Sequence, residues 1–414
     1  MTGFGDRATS APGRTGTAEF RIAIAGAGIG GLAAAALLAD RGHRVTLFDR
    51  FEAPAPVGSG LVIQPVGQAV LDEIGAGEAA REAGNRITRM LGHEAGSGRR
   101  VLDVHYDRGG GARFGLGIHR ASLFDALMEA VRARGIELVS GARVTAAENG
   151  QLTLASGETE TFDLVVDATG AGSELSPLRS RPLPYGAVWG TVDWVPDVLP
   201  QAQLSQVYRK ASRMIGVLPC GTLPGEDGQK AAIFWSLPAH DHEAWREGGL
   251  GAWRDEVAAL WPEAMPFVEQ ITDTDQMTMA RYGHGTLTRP YAERLAIIGD
   301  AAHRASPQLG QGANMALLDA MALALALDRH DIGDALQSYA MARRWHVQIY
   351  QAMSWAFTPQ YQSDSRWLPL LRNRALFPLS QIGPVPRVLT ALVCGTMVPP
   401  YASLMTRKAS GQVF

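Results

Sequence analysis

The chain is 414 residues long, 46 % hydrophobic and 19 % charged, the composition of a globular protein with length for two or three structural units. Its 38 basic and 41 acidic residues give a net charge of −3, so overall charge offers no electrostatic reason to expect nucleic acid or an anionic membrane as partner. Cys220 and Cys394 are its only thiols, too few for a disulfide framework or a zinc site, so no metal centre is expected and a reducing cytoplasm fits.

In chain order, residues 1–19 are rich in Gly, Ala, Ser, Thr and Pro and read as a disordered leader, not a secretory signal. Arg21 to Asp40 then reads as strand, tight turn and helix, with glycines at 26, 28, 30 and 31 in a Gly-x-Gly-x-x-Gly pattern. Gly26 is expected to make the turn, Gly28 to admit a pyrophosphate against the backbone, and Gly31 to let the helix lie on the sheet. A second strand, Arg44 to Asp49, ends in an acid about 20 residues beyond the turn, the place for a carboxylate that grips an adenosine ribose. Apolar spacing predicts a helix over Ala121–Arg134. Strands over Ile136–Ser140, Arg143–Ala147, Leu152–Ala155 and Asp163–Asp167 are expected to return to the dinucleotide sheet.

From Pro182 the texture changes to Trp, Tyr, Pro and alternating apolar residues. Ala187–Val192, Gln203–Arg209, Met214–Leu218 and Ala231–Leu237 predict an antiparallel sheet inserted into the nucleotide fold, followed by a helix over Glu243–Trp261. The run from Leu295 to Asp319 is the most informative. It reads as a buried strand, Asp300 at its end, a Pro/Gly loop, and a long apolar helix beginning near Asn314. Asp300 is placed to take hydrogen bonds from the hydroxyls of a bound polyol chain. Gly310 and Gly312 allow backbone to approach a flat ligand, and the helix aims free N–H groups and its positive dipole end at that ligand. A flavin that becomes anionic on reduction requires this combination. Helices over Asn314–Asp328 and Asp334–Met353 follow, then pieces after Pro359 and an apolar stretch, Val388–Met397, expected to pack on the sheet domain. No run reaches the roughly 18 apolar residues of a membrane span.

The two glycine segments together resemble the class A FAD-dependent aromatic monooxygenases, the family of p-hydroxybenzoate hydroxylase, and the likeness runs from Arg21 into the C-terminal region. It implies an α/β fold: a Rossmann-like FAD-binding domain over 20–181 and 282–345, an inserted antiparallel β-sheet substrate domain over 182–281, and C-terminal helices over 346–414. It implies FAD as cofactor, with Gly26, Gly28, Gly30, Gly31, Asp49, Arg50, Arg120, Val144, Asp300, Gly310, Gln311, Gly312, Ala313 and Asn314 at the site. In that pattern Gly60 to Leu71 passes beside the isoalloxazine, Arg120 reaches the phosphates or ribityl chain, and the backbone of Val144 meets the adenine. Pro307 and Gln308 would border the reacting edge, and Gln64 would neighbour the ring. Arg213 aligns with a substrate-contacting Arg, Tyr208 and Trp235 would line the substrate pocket, and His303 would shape the loop.

The implied reaction takes hydride from NAD(P)H onto the flavin, forms a hydroperoxide with dioxygen, and passes one oxygen to an aromatic or heteroaromatic small molecule. A monomer or homodimer without nucleic-acid partners is implied. Two positions depart from the family pattern: Thr169 stands where many relatives carry Asp, and Ser176 where they carry Arg. They leave the choice between NADH and NADPH open. A flavin-dependent reductase or halogenase, and a non-catalytic FAD-binding partner, are the alternative readings.

Overall fold

The computed structural model describes residues 19–52, 58–109 and 111–404, so the expected leader lies outside the described residues apart from Glu19. Five parallel strands form the nucleotide sheet, in the order Leu295–Ile297, Leu164–Asp167, Arg21–Ala25, Arg44–Phe48 and Glu137–Val139, with Tyr291–Ala292 antiparallel at one edge. The central strand is buried from Ile22 to Ala25, as a parallel strand covered on both faces must be. Helix Ile29–Asp40 carries no charge before Asp40 and is buried almost all round. It lies against helix Gly312–Leu327 in the main core, with Leu32, Leu37, Leu318 and Leu323. The opposite face holds a second core, in which Ala23 and Val165 meet Val144, Leu152 and Phe162.

Of the four strands expected to return to this sheet, only two do. Val144–Glu148 and Gln151–Leu154 form a separate three-stranded antiparallel sheet with Thr159–Thr161. Their alternating, half-exposed pattern suits a sheet with one wet face, not an inner parallel strand.

The inserted sheet is larger than the sequence indicates. Its eight strands run, in spatial order, His303–Arg304, Thr278–Thr286, Arg181–Asp193, Gln229–Pro238, Arg213–Thr222, Gln203–Arg209, Arg89–Glu94 and Arg100–His105. The last two come from the N-terminal half, and Arg89–Glu94 joins Gln203–Arg209 by the sheet's parallel pairing. One face, with Ile215, Val217, Ile233 and Trp235, packs on Trp253, Val257, Leu260 and Phe267 of the helices that follow. The other face, with Met214, Leu218, Cys220 and Phe234, meets Val62, Ile87 and Tyr106 beside the nucleotide domain. Gly248 divides the expected helix over 243–261 into His242–Glu247 and Gly249–Leu260.

Helix Ile332–Tyr361 continues beyond its expected end, and its N-cap Asp331 accepts a hydrogen bond from the Asp334 N–H. Among the described residues no single helix is long and apolar enough to cross a membrane, and no cluster of side chains forms a metal site.

Candidate functional site

The two glycine-containing turns meet at the C-terminal edge of the parallel sheet. Gly26 has φ +100°, and a Cβ there would sit 2.5 Å from the Ala168 carbonyl oxygen, so only glycine fits between the two strand ends. A Cβ on Gly31 would lie 1.8 Å from the Gly26 carbonyl oxygen, which seats helix Ile29–Asp40 directly on the turn. Gly28 is the opposite case: no described residue stands within 4 Å of its Cβ position, so the turn opens there. A Cβ on Gly30 would lie 3.1 Å from the Ala316 Cβ, so glycine there lets the two core helices pack closely. The Asp49 carboxylate accepts from the Ala27 N–H at 2.6 Å and the Phe51 N–H at 3.1 Å, clamping the turn to the second strand. Arg50 is exposed beside it.

The second turn follows strand Leu295–Ile297. Gly299 has φ +60°, and Asp300 is exposed, its carboxylate free of hydrogen bonds and ion pairs among the described residues. Half-buried Pro307 and Gln308 begin a short 3-10 turn that ends at Gly310 in the left-handed conformation. Helix Gly312–Leu327 has Gln311 as N-cap with no side-chain cap, and its first hydrogen bond runs from the Met315 N–H to the Gln311 carbonyl. The earlier N–H groups, at Gly312 and Ala313, are therefore left for a ligand. The position above Gly312 is open space.

Asn314 is fully buried and its amide is committed to the protein. It accepts from the Gln64 N–H at 2.8 Å and donates to the carbonyls of Gly310 at 2.9 Å and Val62 at 3.2 Å. It thus fixes the start of the helix to strand Gly60–Ile63, from a position 250 residues away in the chain. The Gln311 side chain points inward as well, donating to the Val393 carbonyl at 2.8 Å. Gln64 is fully buried; its Oε1 accepts from the Tyr106 hydroxyl at 2.8 Å, while its Nε2 has no partner among the described residues and faces the Gly310 turn at 3.2 Å from the Cβ position there. A buried donor without a partner marks a place where a ligand acceptor belongs. Open space at Gly28 and Gly312, the uncapped helix, the free Asp300 carboxylate and the Gln64 amide fit a flavin dinucleotide laid across both turns.

Behind the loop lies a buried charged hub that sequence reasoning missed. Asp319 accepts from His303 Nε2 at 2.7 Å, Arg343 Nε at 2.7 Å and the Gly299 N–H at 2.9 Å. Burial works to raise its pKa, but His303 and Arg343 outweigh burial and hold it at about 2. Arg343 also donates to the Pro400 carbonyl at 3.2 Å and meets His346, which burial and Arg343 together hold down at about 3. His303 therefore ties the loop to the helices, in keeping with a role in shaping it. The signal available in the sequence was Asp319 itself, a lone acid in an apolar helix, which a core accepts only when paired.

The remaining expected residues divide between the two faces of the large sheet. Arg213 and Trp235 lie on the face that packs against the helices, turned away from the nucleotide domain. Arg213 pairs with Glu256 at 3.3 Å, and Trp235 sits in the core with Val257. Alternation along the strands decides this, since a residue two positions from Ile215 or Ile233 shares its face. Tyr208 is on the flavin-side face, but its ring is packed between Tyr361 at 5.2 Å and Arg372 at 5.3 Å. The same face also carries Trp189 and Phe234. The Trp189 and Phe234 rings lie 4.5 Å apart, tilted by 31°, and Trp189 donates to the Tyr282 hydroxyl at 2.9 Å. Two residues on, His284 meets Ser354 at 3.2 Å, and Ser354 meets Ser306, next to Pro307, at 3.0 Å. Burial lowers the pKa of His284.

Arg120 is exposed at the head of helix Arg120–Ala133, its stem against Gly58. Val144 is buried under the parallel sheet. At the two departing positions hydroxyls replace charge. Buried Asp167 accepts from the Thr169 hydroxyl at 2.6 Å and the Ser173 hydroxyl at 2.6 Å, and Ser176 donates to the Ala301 carbonyl at 2.6 Å. Arg304, from the flavin loop, braces the same region by donating to the Ser180 hydroxyl at 3.1 Å and the Ala171 and Asp300 carbonyls.

Comparison with known proteins agrees with this geometry. The chain is 29 % identical over 344 residues to a putative 2-heptyl-3-hydroxy-4(1H)-quinolone synthase of Rhodococcus erythropolis, covering 80 % of this chain and 86 % of that protein. It is 30 % identical over 366 residues to a phenazine 1,6-dicarboxylic acid hydroxylase of Lysobacter antibioticus, covering 78 % and 86 %. In fold it is similar to Klebsiella pneumoniae HpxO, solved with FAD and uric acid, with a TM-score of 0.75 at 20 % identity over 92 % of this chain and 97 % of the other. The FAD binding domain family matches residues 19–350, and the chain belongs to that family, as a class A FAD-dependent monooxygenase.

Proposed function

We propose that this enzyme hydroxylates a neutral or weakly acidic aromatic or heteroaromatic ring, held between the flavin and the Trp189–Phe234 face of the large sheet. Bound FAD supplies the redox chemistry, drawing electrons from NAD(P)H and delivering one oxygen atom of dioxygen to the ring. The chain's own residues position and shield. Gly28 gives the pyrophosphate room on a turn that Gly26 and Gly31 set, Asp49 and Val144 take the adenosine end, and Arg120 and Asp300 the phosphate and ribityl region. The open N-terminus of helix Gly312–Leu327 stabilises negative charge on the reduced ring.

Pro307 and the apolar side chains of the sheet keep water from the reacting edge, with Gln308 beside it. Trp189 and Phe234 offer a stacking wall for a flat substrate. His284, half-buried and with its pKa lowered by that burial, reaches the loop through Ser354 and Ser306 and provides a route for a substrate proton. Quinolone and phenazine relatives favour a fused heteroaromatic over a polyphosphate. Buried Cys220 and Cys394 remain free thiols, as in a reducing cytoplasm, and we assign the chain there as a monomer or homodimer.

The observation that carries this reading is the unpartnered Gln64 amide facing the Gly310 turn. Its test is anaerobic stopped-flow reduction by NADH and NADPH, with and without quinolones, phenols and hydroxypyridines, then mixing with oxygen. Substrate-stimulated reduction with oxygen-dependent hydroxylation supports the proposal. Reduction without hydroxylation of any ring compound overturns it in favour of a reductase.

A further inference from the structure

All 41 acidic residues of this chain lie at or before Asp364. From Ser365 to Phe414 the charged residues are Arg366, Arg372, Arg374, Arg387, Arg407 and Lys408, so the small net charge averages an acidic body with a cationic end. The same stretch carries eight of the eleven large hydrophobic side chains that stand exposed among the described residues, including Trp367 at 79 %, Ile382 at 63 % and Leu379 at 57 %. Such a density of exposed apolar groups marks a contact surface, because isolated exposed residues do not cluster in this way.

The local structure shows how the face is built. The helical segments between Leu368 and Ser380 turn by 101° into helix Val385–Cys394. That last helix buries Thr390, Leu392, Val393 and Cys394 against the body and leaves Arg387 and Val388 outside. Arg372 is the anchor: it is buried, donates to the carbonyls of Gln360 at 2.8 Å and Lys210 at 3.1 Å, and lies over the rings of Tyr208 and Tyr361. Arg366, Arg374 and Arg387 are exposed and form no ion pair with a described residue.

We propose that the face from Trp367 to Val388 docks this enzyme on an anionic lipid bilayer, lying in the interface without crossing it. Charge decides between a bilayer and a second copy of the chain. A two-fold interface sets the patch against itself, placing arginine near arginine with no carboxylate in the segment to pair them. Anionic headgroups neutralise those cations, the acyl boundary takes Leu379 and Ile382, and Trp367 suits the headgroup level.

Flotation of the FAD-loaded protein with vesicles tests this, using phosphatidylcholine alone and phosphatidylcholine mixed with phosphatidylglycerol. Binding to the mixed vesicles only, reversed by high salt, is the expected result. Leu379→Glu with Ile382→Glu, and separately Arg374→Glu with Arg387→Glu, should each weaken it at least about tenfold. These side chains are exposed, and an unchanged flavin spectrum and melting temperature will show that the fold is retained. No flotation with the mixed vesicles, or equal flotation with both kinds, overturns the proposal. So does a halved particle mass of the Leu379→Glu, Ile382→Glu variant in lipid-free light scattering, which would assign the face to a second copy.

Discussion

Replacing Asp319 by Asn removes one charge with almost no change of volume and isolates the electrostatics of the buried hub. Arg343, 2 % exposed, would lose its one carboxylate partner among the described residues and keep only neutral acceptors such as the Pro400 carbonyl. The new amide would set an N–H against the Gly299 N–H or against the Arg343 guanidinium, since both now donate to the carboxylate. Stripping a buried cation of its partner costs about 3–5 kcal/mol, and an unmatched buried donor about 1 kcal/mol more. We expect Asp319→Asn to lose roughly 4 kcal/mol in urea unfolding of the FAD-free protein followed by circular dichroism. Removing both charges, as in Asp319→Leu with Arg343→Met, should recover at least about half of that loss, because no uncompensated charge then remains. A loss below about 1 kcal/mol for Asp319→Asn, or a double variant no more stable than the single one, refutes the reasoning.

Three further outcomes follow from the site. Gly28→Val should leave the melting temperature of the FAD-free protein unchanged, since space surrounds that Cβ, yet abolish FAD binding; unchanged affinity in calorimetry would mean the space is not the pyrophosphate's. Asp300→Ala should weaken FAD about 10- to 100-fold through the loss of a charged acceptor for ribityl hydroxyls, read by fluorescence titration, and retention of the full yellow colour through gel filtration would contradict it. His346 is held at about 3 against an ordinary 6.5, so it folds neutral; its stabilisation is complete above pH 6.5 and drains away as pH falls toward 3. His346→Gln, which keeps a donor for the Gly395 carbonyl, should flatten the acid side of the melting curve between about pH 6 and 4 by about one proton, and an unchanged slope would count against a neutral His346.

The parts of the fold most legible in the sequence are those governed by short-range rules. The glycine spacing from 26 to 31 and the strand, acid and loop from 295 to 312 each combine a steric demand with a periodic pattern, and both turns form where those demands place them. Strand faces were harder. Arg213 and Trp235 sit on well-read strands, but which face meets the flavin depends on the helices after Glu243, a tertiary fact that alternation alone does not hold. The strands at Arg89–Glu94 and Arg100–His105 join the inserted sheet through non-local pairing and are interrupted by polar and charged residues, so no apolar run announces them. Asn314 was read as a flavin neighbour from its place at the helix start, and its three protein hydrogen bonds make it the clamp between two segments. The division into domains follows the same lesson, since the large sheet draws its edge strands from before residue 181 and after residue 281.

FAD binding requires the two distant glycine-bearing stretches of backbone to fold together around one cofactor. Calorimetric titration of FAD into the FAD-free protein tests this most directly. One FAD bound per chain, with the Asp300→Ala and Gly28→Val proteins weakened in the same experiment, is the expected result. A folded protein that takes up no FAD would contradict it.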